Sequence, residues 1–152
     1  MAVVIVDTRE HLNAIDGILA HFDAAGVKHV FSKLYVGDYQ RLDNGLLVVD
    51  RKQSLLELAG NVTQQHERFR AELKRAEEAG IHLVILCEHG NGITSMNDVE
   101  AWQNPRLRTS PKAITGYRLA QILRTLETRY GVEFQFCKRT ETGEKILEIL
   151  GA

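Results

Sequence analysis

Three aspartates and one lysine in the first 52 residues have the right types for hydrolysing a phosphodiester. Asp7 closes an apolar run, Asp38 follows Gly37 at a break in the pattern, and Asp50 ends a further apolar run with Lys52 two residues on. Alternation along a strand puts Asp50 and Lys52 on the same face. A hairpin between the second and third apolar segments would set Asp38 beside Asp50. Two carboxylates on one face make a hard-oxygen site suited to a divalent cation such as Mg²⁺, which keeps several waters. The cation would act as a Lewis acid and activate water, with the lysine as base or charge partner. Carboxylates at strand ends also serve as turn formers or solvated ends. The spacing alone leaves both roles open.

The elements that must position these groups can be read from periodicity. Valine-rich Ala2–Val6 reads as a central strand, and Leu12, Ile15, Ile18, Leu19 and Phe22 recur as one face of a helix that Gly26 stops. Residues 27–35 and 46–51 read as two further strands, the second preceded by the turn signal Asp43-Asn44-Gly45. A short helix at Leu55, a break at Gly60-Asn61 and a long helix from Thr63 to Gly80 follow. His82–Cys87 and Val132–Cys137 complete the strands. Residues 88–112 lack periodicity and hold both prolines, so they read as a long loop with a turn of helix near Asn97–Trp102. Ser110-Pro111 predicts the start of the helix that ends at Gly131. Ile146, Leu147, Ile149 and Leu150 belong to a final helix. The expectation is one α/β domain spanning residues 1–152, with a central mixed sheet of about five strands flanked by helices.

Composition excludes several classes. The chain has 152 residues, is 44% hydrophobic and 26% charged, and is long enough to bury a core. No apolar run is long enough for a membrane span, and the N-terminus has no secretory pattern. With only Cys87 and Cys137, a disulfide framework is excluded and a cytoplasmic setting is expected, with both thiols as small buried hydrophobes. The formal net charge is -1, but it is a cancellation of blocks. Residues 51–75 carry six basic groups against three acidic, and residues 104–129 carry six against one. Such stretches fit a phosphate backbone or, equally, solvated helix faces.

Val6-Asp7-Thr8-Arg9-Glu10, Gly37-Asp38-Tyr39 and Val49-Asp50-Arg51-Lys52, in that order, resemble the XPF-type nuclease domain of the PD-(D/E)XK superfamily. Leu58-Ala59-Gly60-Asn61 is similar to the kinked segment that follows in that family. The resemblance covers Ala2 to Ala79 closely and the later strand-helix order loosely, and the whole chain is similar to small stand-alone domains of this type in phages and bacteria. It implies a restriction-endonuclease-like fold and a Mg²⁺- or Mn²⁺-dependent DNA endonuclease in a bacterial or phage-infected cell. Asp38, Asp50 and the backbone carbonyl of Arg51 would be metal ligands, Lys52 the catalytic lysine, and Asp7 an assisting acid. Arg9, Glu10 and Glu57 would be supports, and Arg51 would also touch DNA. The resemblance further implies branched or flapped DNA as substrate and a homodimer, for which the apolar face of the final helix is the first place to look. It brings no nucleotide cofactor.

Two departures stand out. Asp50 occupies a position where the family usually has glutamate, and Glu57 lies one position beyond the family's trailing aspartate. The tandem helix-hairpin-helix domain by which larger relatives grip DNA is not expected within these 152 residues. On the nuclease reading, Gln65 and Arg68 on the long helix would approach the scissile phosphate, against an Arg68–Glu72 intrahelical pair as the plain alternative. Arg106, Arg108 and Lys112 flank Ser110-Pro111 and would contact phosphate through that helix start. Trp102 would stack on distorted DNA or, more simply, anchor its loop. His82, Cys87, Glu88 and His89 have zinc-ligand types without a paired spacing. The competing functions are a non-cleaving DNA-binding accessory domain and a Holliday-junction resolvase or nicking enzyme.

Overall fold

A computed structural model describes residues 2–152. The valine run forms β1 (Val3–Val6), followed by helix α1 (Leu12–Ala24) and strand β2 (Lys28–Phe31). Strands β3 (Tyr39–Arg41) and β4 (Asn44–Lys52) come next, then helices α2 (Leu55–Val62) and α3 (His66–Glu78). Strand β5 (His82–Glu88), helices α4 (Met96–Glu100) and α5 (Gly116–Tyr130), strand β6 (Glu133–Cys137) and helix α6 (Thr142–Leu150) complete the chain.

The six strands form one mixed sheet in the order β2-β1-β3-β4-β5-β6. Strand β3 is antiparallel to both β1 and β4, while β2 runs parallel to β1 and β4, β5 and β6 run parallel to one another. Alternating side chains feed two cores. Val48, Leu83, Ile85 and Cys87 face α2, α3 and α5, whereas Val4, Val6, Val49 and Leu86 face α1 and α6. The sheet therefore lies between two helical layers, as expected for a single α/β domain.

The second strand differs from the reading of residues 27–35. It ends at Phe31, lies at the sheet edge beside β1, and forms no hairpin with β4. A separate three-residue strand, β3, is the hairpin partner of β4 and brings the count to six. Gly37 makes this possible. Its φ is +72°, and a Cβ there would stand 2.5 Å from Val48 Cγ1. The helix break after Leu55 falls at Thr63–Gln65 rather than at Gly60-Asn61, which remains inside α2.

Ser110-Pro111 does not start a helix. The Ser110 N–H donates to the Arg106 carbonyl at 2.8 Å, closing a turn, and α5 begins at Gly116 with Thr115 as its cap. A Cβ at Gly116 would overlap the carbonyl oxygens of Val99 and Trp102, so the helix start is set by close backbone contact with the 99–102 segment. The apolar face of α6 is spent inside the chain, with Ile146, Leu147 and Leu150 buried in the α1-side core. It is thus not the free dimer surface expected of it. Both cysteines are free and buried. Among the described residues no helix is long and apolar enough to cross a membrane.

Candidate active site

Strand alternation carries Asp50 and Lys52 to one face of β4, and the β3–β4 pairing delivers Asp38. The Asp38 N–H donates to the Val49 carbonyl at 2.8 Å, and the Arg51 N–H donates to Asp38 Oδ2 at 2.8 Å. Asp38 thus stands beside Asp50 with its carboxylate anchored on the backbone of β4. Burial pushes the Asp38 carboxyl well above the usual carboxylate range, and the neighbouring Asp50 charge pushes it further. Asp50 Oδ2 is buried without a hydrogen-bond partner, and Lys52 Nζ lies 3.2 Å from it.

Lys52 is nearly enclosed, with Nζ 5.5 Å from the centroid of the Phe69 ring. Burial lowers its pKa, but Asp50, Glu72 and Glu57 together outweigh burial and hold it above the ordinary lysine value. The side chain is therefore an ammonium at neutral pH. Glu57 contributes charge from a capping position. Its backbone N–H donates to Ser54 Oγ at 3.2 Å, and its carboxylate accepts from the Gln53 N–H at 3.1 Å.

Glu72, on the inner face of α3, joins this group without having been singled out in the sequence. Burial, then the Asp50 charge, pushes its carboxyl up to about 7. It lines both cavities that flank the site. One of about 220 Å³ holds Lys52, Asn61, Gln65, Arg68 and Phe69. The other, of about 210 Å³, holds Arg9, Tyr35, Asp38, Asp50 and Arg75. Gln65 and Arg68 are thus brought to the site, and Arg75 and Tyr35 join it unforeseen. The signal for Glu72 and Arg75 was their helical spacing from Arg68, which the intrahelical-pair alternative absorbed. Arg106, Arg108 and Lys112 are exposed and line neither flanking cavity.

Asp7 is fully buried, and its carboxylate is already engaged. Arg9 donates through Nε at 2.6 Å and through its backbone N–H at 3.1 Å, and the Leu34 N–H donates at 2.8 Å. Burial raises the Asp7 pKa, but these bonds prevail and hold it below the usual value. Asp7 therefore ties the end of β1 to the loop after β2. The sign for stability follows: the contribution of a depressed carboxylate is present above the unfolded value of 3.8 and is lost as pH falls through the folded value. Asp7→Asn is expected to lower urea stability at pH 7 by about 1–3 kcal/mol. The deficit should shrink on titration to pH 3, and a deficit of the same size at both pH values would refute this account.

Arg51 was expected to touch DNA, and here the structure corrects the expectation. Its side chain is 2% exposed, on the opposite face of β4 from Asp50, with Nε donating to Glu10 Oε2 at 2.8 Å and Nη1 bonded to Glu88. Tyr39 Oη donates to Glu10 at 2.6 Å, and Thr142 Oγ1 donates to Glu88 at 2.6 Å. The guanidinium fixes the strand whose backbone N–H holds Asp38, and no part of it is free for phosphate. Among the described residues no three His, Cys, Asp or Glu side chains are grouped to hold a metal ion. The zinc-type residues around Cys87 do not converge. What remains for a cation is the Asp38–Asp50 pair, with Lys52 Nζ beside Asp50 Oδ2. That donor set fits Mg²⁺, which takes one or two carboxylates and completes its shell with water and phosphate.

Six strands between two helical layers, with an acid pair and a lysine at the end of a central strand, define the fold of an XPF-type nuclease domain. The ERCC4 domain family matches residues 6–149, and the chain belongs to that family. It is similar to XPF from Aeropyrum pernix, with a TM-score of 0.69 and 21% identity over 97% of this chain and 63% of that one. XPF from Aeropyrum pernix in complex with DNA gives a TM-score of 0.70 at 21% identity, over 99% of this chain and 64% of the other. The chain thus spans a little under two thirds of those solved chains, and the likeness concerns the fold. A comparison with curated proteins finds no match.

Proposed function

We propose that the chain is a DNA endonuclease dependent on Mg²⁺ or Mn²⁺, with Asp38 and Asp50 as cation ligands. The observation that carries this reading is the Asp38–Asp50 pair at the end of β4, where the buried Asp50 Oδ2 has the Lys52 ammonium 3.2 Å away. Two crowded carboxyls in a dry site raise each other's energy, and a divalent cation relieves that repulsion. The Arg51 carbonyl is the third ligand on this reading. When bound, the cation supplies Lewis-acid stabilisation of the phosphoryl oxygens and acidifies water.

The chain's own groups do the rest. The Arg51 N–H holds Asp38 in orientation. Lys52, held above the ordinary lysine value by its acidic neighbours, is a charge partner for the negative charge that develops on the phosphoryl group. Gln65 and Arg68 on one side, and Arg9 and Arg75 on the other, line the two cavities through which a DNA strand would cross the carboxylates. The fold likeness to an XPF from Aeropyrum pernix in complex with DNA supports the choice of DNA as partner.

Labelled duplex, flap, fork and four-way-junction DNA, each incubated with Mg²⁺ and with EDTA, tests the reading. Cutting is expected with Mg²⁺ alone, and Lys52→Ala should reduce it by about 10²-fold or more. Binding without cutting of any substrate would overturn the enzymatic reading in favour of an accessory domain. Cutting confined to four-way junctions would assign the chain as a resolvase.

A further inference from the structure

We infer that a third cavity, between α2 and the segment from His89 to Pro105, takes an unpaired nucleobase of the DNA substrate, with the adjoining phosphate held by Arg106 and Lys112. This rests on the DNA-endonuclease reading and names the structural feature of the substrate that the chain recognises.

The cavity has a volume of about 460 Å³, within the range of ligand sites. Its walls are Leu56, Ile93, Trp102 and Pro105, with Asn91 and Gln103 offering amide donors and acceptors. Leu56 is 40% exposed at its mouth. Trp102 meets His89 edge to face, with ring centroids 6.0 Å apart. His89 Nδ1 accepts the Leu55 N–H at 3.1 Å, which fixes the ring and leaves Nε2 to carry the proton. The one acid in the lining, Asp98, is engaged through Oδ2, which accepts from Thr94 and Ser95 at 2.9–3.1 Å.

Leu56 also lines a neighbouring cavity of about 190 Å³ whose charged residues are Arg106 and Lys112. Neither cation has a carboxylate partner among the described residues. An aromatic and aliphatic slot beside free cations matches how single strands are held, with the base stacked and the phosphate paired. A base inside a duplex has both faces covered and cannot enter.

The slot is formed in advance. Asn104 is buried, its Nδ2 donating to the Ile114 carbonyl at 2.8 Å and its Oδ1 accepting the Arg106 N–H at 3.0 Å. Gly116 lets α5 close against the Trp102 carbonyl. Binding therefore does not have to order the loop first. The slot also lies at the same end of the sheet as the acids. Lys52 pairs with Cys87 in register, so Leu56 and His89 follow within a few residues of the catalytic strand end.

Trp102 is the only tryptophan in the chain, so its fluorescence reports on this slot alone. Wild type is titrated in EDTA with a single-stranded oligothymidylate, a flapped duplex and a blunt duplex, and each DNA is then tested for cutting in Mg²⁺. Quenching is expected with the first two and not with the blunt duplex. Trp102→Leu should weaken flap binding by about tenfold and leave blunt-duplex binding unchanged, and the Arg106→Ala/Lys112→Ala pair should weaken flap binding more than blunt-duplex binding. Leu56→Glu, at a position 40% exposed, should weaken flap binding with Trp102 intact. Flap cutting with unquenched Trp102 and wild-type affinity in Leu56→Glu would overturn the slot and leave the endonuclease reading standing. Failure to bind or cut any of the DNAs would overturn both.

Discussion

Asp38→Asn is expected to abolish cation-dependent cutting while leaving the metal-free chain at least as stable as wild type. The amide oxygen still accepts the Arg51 N–H that Asp38 Oδ2 accepts at 2.8 Å. What it removes is a charge that burial and the neighbouring Asp50 both disfavour. A carboxyl raised in the folded state has a definite linkage sign: through Asp38, wild type in EDTA should lose stability as pH rises above the unfolded value of 3.8, and the amide variant should show a smaller loss, keeping only that of the raised Glu72. Added Mg²⁺ reverses the comparison. A ligand at a hundred times its Kd stabilises the folded state by about 2.7 kcal/mol, so wild type should show a cation-dependent rise in Tm that Asp38→Asn lacks. Cutting should fall by about 10²-fold or more. A variant that keeps both the Tm rise and the activity would show that Asp38 is no ligand. The site is thus one at which function and metal-free stability oppose each other.

How much of this was legible in the sequence depended on the range of the interaction. Asp50 and Lys52 lie two residues apart in one strand, and alternation alone put them on one face, as their 3.2 Å approach bears out. The same alternation placed Arg51 on the other face, towards Glu10 and Glu88. The expectation that it touches DNA came from the family resemblance, which says nothing of the face on which the side chain lies. Asp38 was rightly set beside Asp50, though through a three-residue strand too short to show a period. Glu72 was placed only as a helical neighbour of Arg68, because its position beside Asp50 depends on how α3 crosses the sheet, which helical spacing does not encode. Ser110-Pro111 failed for a related reason. A good local start signal lost to the requirement that Gly116 meet the backbone at Val99 and Trp102.

Arg51 carries the other large effect, on stability and through it on the site. Its guanidinium lies between two buried carboxylates, at 2.8 Å from Glu10 and in direct contact with Glu88, and each of those accepts one further hydroxyl, from Tyr39 and Thr142. This chain of contacts joins the loop after β1, β3, β4, β5 and the start of α6 through side chains alone. Arg51→Met fills similar volume but strands two carboxylates in a dry interior, and removing one partner of such a group costs about 3–5 kcal/mol. Urea unfolding should register that loss. Arg51→Lys keeps the charge but not the fork that reaches both acids, so it should fall between. The decisive comparison is the triple variant Glu10→Gln, Arg51→Met, Glu88→Gln. With no charge left to strand, it should recover most of the stability. Its cutting should recover too, because the backbone N–H that holds Asp38 is untouched by the side-chain change. Recovery of stability without recovery of cutting would mean that the Arg51 guanidinium acts on the substrate after all, against its 2% exposure.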